Sequence, residues 1–102
     1  KVLKKKPVGH LKIKVGEVAI DPDIGGLNVP VTVRNRNKFR VRHVAVVVTL
    51  FNKKGKVLNV FNGYNYTDPS VLAPGQAGSI TVYFGSHFAG VRTVNVMAEA
   101  GR

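Results

Sequence analysis

Val44-Ala45-Val46-Val47-Val48-Thr49-Leu50-Phe51-Asn52-Lys53-Lys54-Gly55-Lys56-Val57-Leu58 is the stretch on which the fold turns. Val44, Val46, Val48 and Leu50 share one parity, and Ala45, Val47, Thr49 and Phe51 the other. The run from Arg42 to Asn52 therefore predicts a strand that is apolar on both faces, which belongs at the centre of a sheet with cover on each side. Asn52 to Lys56 reads as a tight hairpin turn closed by Gly55, since glycine takes the positive φ such a turn needs. Val57 to Phe61 is the returning strand.

The same punctuation extends in both directions. Asn28 to Asn35 places Val29, Val31 and Val33 on one face. Pro30 points the other way and has no amide hydrogen, which predicts an edge strand or an outward-facing nitrogen at that position. Leu11 to Ile20 reads as the first strand, with Leu11, Ile13 and Val15 opposite Lys12 and Lys14. Val18 and Ile20 change phase, so a bulge is expected near Gly16. Downstream, Tyr64 to Asp68 reads as extended, Leu72 to Gln76 as a turn, and Ser79 to Phe84 and Val91 to Ala98 as the closing strands. Short β-branched runs, broken by Gly, Pro, Asn and Asp about every ten residues, are the pattern of a sandwich or small barrel. The expectation is an all-β sandwich of six to seven strands over residues 10–102, behind a basic linker or terminal strand at residues 1–9.

At 102 residues the chain is the size of one domain. Sixteen Lys and Arg against five Asp and Glu give a net charge of +11. Cysteine is absent, which excludes disulfides, thiolate catalysis and Cys-based zinc sites. No apolar run approaches the roughly 18 residues of a membrane-spanning helix. The chain opens on Lys1 and not on methionine, so the native start is expected to lie ahead of it, with room there for a signal peptide, lipid-anchor segment or membrane helix. Location stays open on composition alone.

The segment Val44 to Leu58 is followed by Asp68-Pro69-Ser70-Val71-Leu72-Ala73-Pro74-Gly75-Gln76 and then by Ser79-Ile80-Thr81-Val82-Tyr83-Phe84. This series resembles the FxLYD family of immunoglobulin-like β-sandwich modules from bacterial and archaeal envelope proteins. The shared pattern is an apolar strand ending in an aromatic residue, a polar turn of the form D-x-x-G-K-V, a Leu-Ala-Pro-Gly turn and an alternating strand. Val31 to Lys38 resembles the family's strand and Asn-rich loop. The resemblance covers roughly residues 11–98. Asn52 stands where the family has Asp, and the Asn-Ser loop is arginine-rich here. The resemblance implies an immunoglobulin-like fold and a non-enzymatic, extracytoplasmic module, often behind a membrane anchor.

Arg34, Arg36, Lys38, Arg40 and Arg42 put five cations into nine residues around Phe39. Their parity is shared, so several can face one way and engage phosphate, sulfate or carboxylate, which guanidinium groups grip bidentately. Phe39 is a candidate surface for base stacking. Lys4, Lys5 and Lys6 form a second basic run, suited to anionic lipid headgroups or nucleic-acid phosphates. Lys53, Lys54 and Lys56 occupy a hairpin tip, where lysine is ordinary. Asn65-Tyr66-Thr67 matches the acceptor triplet for N-glycosylation, making Asn65 a candidate.

Catalytic chemistry is poorly supplied. His10, His43 and His87 are scattered, and Ser86 and His87 are adjacent, so on a strand they point to opposite faces. Asp21, Asp23, Asp68 and Glu99 form no evident acid–base pair, and Asp21 and Asp23 around Pro22 lack a third carboxylate for a calcium loop. No catalytic residue, metal or cofactor is therefore expected. The charge fits nucleic acid, but no groove-entering helix, zinc finger or RNP-type aromatic pair accompanies it; Phe61, Tyr64 and Tyr66 read as packing.

The sequence thus points to an extracellular or cell-envelope binding and structural module. Its partners are proteins, through self-association or envelope components, and acidic polymers or surfaces. One version is a surface-filament subunit in which Lys1 to Lys4 adds as a strand to a neighbour's open sheet edge. The alternative is a cytoplasmic basic protein coating ribosomal RNA or nucleoid DNA.

Overall fold

Alternating apolar side chains build two antiparallel sheets laid out as a β-sandwich, and the described residues contain no helix. The structure, a computed structural model, describes residues 9–20, 23, 25–61, 65–85 and 90–102, with residues 59–61 given by their backbone alone. Lys4, Lys5, Lys6, Asp21, Pro22, Tyr64, Ser86 and His87 lie outside the described residues. In chain order the strands are β1 (Leu11–Val15), β2 (Ala19–Ile20), β3 (Leu27–Asn35), β4 (Arg42–Phe51), β5 (Val57–Phe61), β6 (Ala77–Phe84) and β7 (Thr93–Gly101).

One sheet has β3 at its centre, with β1 and β2 on one side and β6 on the other. The second runs β5–β4–β7. Val29, Val31 and Val33 of β3 and Val44, Val46, Val48 and Leu50 of β4 are buried between the sheets, joined by Leu27, Val41, Leu72, Val82 and Phe84. The opposite face of β4, from Ala45 to Phe51, is half-buried, and the strand is central as its two apolar faces require. Gly55 has φ 76° in the turn that joins β4 to β5, and Asn52 Oδ1 accepts the amides of Lys54 and Lys56 at 2.9 and 3.0 Å.

Three local expectations are corrected. Leu11 to Ile20 is not one strand: it breaks after Val15, and only Ala19 and Ile20 pair again with β3. Pro30 does not mark an edge, because β3 is flanked on both sides. Its carbonyl accepts the Gly16 amide at 2.8 Å, and in an antiparallel strand a residue's nitrogen faces the same neighbour as its carbonyl. The missing donor therefore faces Gly16, the next position of the β1 register, so that pair keeps one of its two bonds and β1 ends at Val15. Gly16 belongs there for the same reason, since a Cβ would sit 2.9 Å from Pro30 Cγ.

The third concerns the extended stretch expected from Tyr64 to Asp68: its described part belongs to residues 65–72, which form single bridges and no ladder. Val46 donates to the Asn65 carbonyl and Thr67 to the Val44 carbonyl, at 3.0 and 2.9 Å. Val44 donates to Ser70, and Val41 and Leu72 exchange both bonds. Asp68 also exchanges both backbone bonds with Ser79 of β6. The segment is thus a strap hydrogen-bonded to both sheets. A Cβ at Gly78 would collide with the Pro69 carbonyl and Thr67 Oγ1, so glycine is what lets the strap lie down.

Candidate anion-binding row and open strand edges

From Arg34 to Arg42 the chain alternates strictly. Arg34, Arg36, Lys38, Arg40 and Arg42 are exposed, Asn35, Asn37 and Val41 are buried, and Phe39 is half-buried. The five cations share outward parity through a strand end, a loop and a strand start. None of them meets a carboxylate among the described residues.

This alternation conflicts with β4, where even-numbered residues from Val44 onward are buried. The phase change occurs at His43. Its φ is 52°, and the β4–β7 register shifts between Arg42 and Ala45. One residue in the left-handed region makes a bulge that turns both Arg42 and His43 outward and leaves Val44 facing the core. The His43 ring lies 6.2 Å from that of Tyr66, tilted by 59°.

The loop is held from inside by Asn35. Its Nδ2 donates to the carbonyls of Phe39 and Leu72 at 2.8 and 2.9 Å, and its Oδ1 accepts from the amide and the side chain of Asn37, each at 2.9 Å. Its backbone pairs with Gln76 and Gly75, at 2.9 and 2.7 Å. Arg34 Nη1 donates to the Gly75 carbonyl, fixing the first cation of the row. Gly75 has φ 81°, and Gln76 Oε1 accepts the Ala73 amide at 2.9 Å. Arg34, Asn35, Arg36, Asn37 and Gly75 line an open depression of about 350 Å³. Two guanidinium-bearing residues border this space, and a rigid loop holds it, so an oxyanion settling there meets donors already in place.

Phe39 is not available as a stacking platform. Its ring packs against the core, and the Arg102 guanidinium carbon sits over it, 3.9 Å from the centroid. Pairing of Arg42 with Gly101 brings Arg102 to this place. The fold thus brings a sixth cation beside the loop, over Phe39, that no local pattern announces. Asn35 and Asn37 are likewise missed by a reading that counts charges. The available signal was their alternation with the arginines, since the same parity that exposes the cations buries the amides.

Asn65 is enclosed by the fold. It is 6% exposed, and its Nδ2 donates to the Val46 carbonyl at 3.4 Å. A glycan on that nitrogen cannot coexist with the packed strap, so the triplet is structural in this fold. Among the described residues there is no group of three or more His, Cys, Asp or Glu placed to hold a metal ion, and no helix long and apolar enough to cross a membrane.

The sheet edges differ in how they are guarded. Backbone groups of Leu11, Ile13 and Val15 face away from β3, but exposed Lys12 and Lys14 alternate with them. Outward Ser79 on β6 is bonded to the strap, and β5 is short, with a register shift at Leu50/Phe51. β7 runs nine residues and keeps one register against β4 from Ala45 to Phe51. Comparison with protein-family models, with curated proteins and with solved structures finds no match.

Proposed function

We propose that this chain is a non-enzymatic binding and structural module of the cell envelope, in the extracellular or extracytoplasmic space. It holds acidic partners on the row Arg34, Arg36, Lys38, Arg40 and Arg42, and associates with other protein chains through an open strand edge, up to the assembly of surface filaments. The observation that carries the reading is the row itself: five exposed, carboxylate-free cations on a loop pinned from beneath by Asn35.

The finer fold assignment belongs to the same proposal. β3 neighbours β6 in one sheet and β4 neighbours β7 in the other, with β3–β4 and β6–β7 each passing between sheets. This is the arrangement of the B, E, C and F strands of an immunoglobulin domain, and it supports kinship with the FxLYD-type modules that the sequence resembles. Lys4, Lys5 and Lys6 extend the basic character toward acidic surfaces, and an anchor ahead of Lys1 would hold the module at a membrane.

Binding of inorganic polyphosphate and of an acidic polysaccharide tests the row. Wild type should bind both and lose affinity as salt rises. Arg36→Glu combined with Arg40→Glu should lower affinity at least tenfold, because charged contacts to a polyanion release counterions. Unchanged binding in that double variant overturns the row as the site. Fractionation of the source cells tests the location, and recovery in the envelope is the expected result. Copurification with nucleic acid that salt strips away would replace the proposal with the ribosome- or nucleoid-coating reading, which the net charge of +11 also fits.

A further inference from the structure

The hydrogen-bonding parity of β4 identifies which groups of β7 face outward. Val44 and Val46 bond to the strap, and Asn52 bonds to Lys56 across the β5 turn, so even-numbered residues of β4 face that side. Ala45, Val47, Thr49 and Phe51 therefore bond to their register partners Glu99, Met97, Asn95 and Thr93. It follows that the N–H and C=O groups of Val94, Val96, Ala98 and Ala100 point away from the sheet. None of these residues has a hydrogen bond to that side among the described residues. Their side chains face the core and are only half-buried, so the sandwich is incompletely closed along this seam.

Natural edge strands are protected by lysine, proline, bulges or shortness. β7 has none of these. In a chain with sixteen Lys and Arg, residues 93–101 contain none, and among the described residues the most exposed large apolar side chain is Met97 at 63%. The flanking positions are Arg92 and Arg102.

We propose that β7 pairs antiparallel with β7 of a second copy of this chain, joining two three-stranded sheets into one of six strands about a two-fold axis through Met97. This rests on the edge-association half of the proposed function and names its partner. Antiparallel pairing of outward groups allows few registers, and centring on Met97 uses all four outward residues: Val94 meets Ala100 and Val96 meets Ala98. Large stands opposite small in both pairs, and Asn95 faces Glu99 with no like-charge contact. An isologous interface needs this kind of self-complementarity. Residues 1–8 are the weaker occupant. Val2 and Val8 share a parity with Lys4 and Lys6, which would place ammonium groups in an apolar seam.

The register also sets Arg92 against Arg102 of the other copy at each end, and both copies carry +11. Association should therefore strengthen with salt, about tenfold between about 0.05 M and about 0.5 M, as repulsion is screened. Polyanion binding by the row should move in the opposite direction. Sedimentation velocity on the full chain should show a dimer at the higher salt, and Met97→Lys should be monomeric throughout with unchanged circular dichroism. Because the chain has no cysteine, Met97→Cys supplies a single thiol beside its own symmetry mate. A non-hydrogen-bonded pair, with Cα atoms about 4.5 Å apart, is within disulfide reach. Mild oxidation should give a covalent dimer well before Asn95→Cys does. A monomer at every salt concentration, or Asn95→Cys linking as fast as Met97→Cys, overturns the proposal. Either result leaves the polyanion measurement standing on its own.

Discussion

Asn35 and His43 do opposite work on the same loop. Asn35 is fully buried and uses its whole side-chain capacity on Phe39, Leu72 and Asn37. Replacing it with alanine strands the Phe39 carbonyl and the Asn37 amide, each costing about 1–3 kcal/mol when left unpaired in the interior, and leaves the Leu72 carbonyl with the Val41 amide alone. Asn35→Ala should therefore destabilise the protein by about 3 kcal/mol in urea unfolding, and polyanion affinity should fall with it as the loop loses its support. His43 acts through the backbone. A residue at φ 52° carries a conformational penalty that glycine escapes and β-branching aggravates. His43→Gly should be close to neutral, whereas His43→Val should cost about 1–2 kcal/mol and impair anion binding by disturbing the bulge that turns Arg42 outward. The charges of the row were legible in the sequence as alternation. The two residues that aim them were not, because one works by burial and the other by a dihedral angle, and neither leaves a charge pattern.

Among the elements, β3, β4 and β5 were readable because apolar alternation and turn chemistry agree there. Val29 to Val33 and Val44 to Leu50 lie where periodicity puts them, and Gly55 closes the hairpin. Tyr64 to Asp68 reads only as extended, since extended sequence does not reveal which sheet will take its bonds, and within residues 65–72 both do. Pro30 suggests an edge for a related reason: its nitrogen faces Gly16, fourteen residues earlier and across a turn, so nothing within β3 itself announces the pairing. Gly78 offers the sharpest test of this element. A methyl group there meets backbone and a buried hydroxyl, neither able to move aside, while Gly85 and Gly90 have open space. Gly78→Ala should cost about 2 kcal/mol or more in thermal or urea unfolding, with Gly90→Ala as the near-neutral control.

At the scale of the whole molecule, charge is unevenly distributed. Cations crowd the β3–β4 loop and the Lys12 and Lys14 side, and avoid β7. A particle at +11 resists chance association, so β7, a nine-residue edge strand without Lys or Arg, is a place where contact between copies is little opposed. Salt should therefore drive the two surfaces apart in behaviour, loosening acidic ligands while tightening the pairing of β7, and a titration that moved both together would show them to be one surface. The strap adds a mechanical property. In a plain sandwich the two sheets meet only through side chains, which slip past one another under a pull. Here residues 65–72 stitch β4 to β6 by backbone bonds on both sides. Sliding one layer over the other must shear those stitches together, so a chain of such modules under tension would yield abruptly and not creep, a property suited to the surface filament we propose.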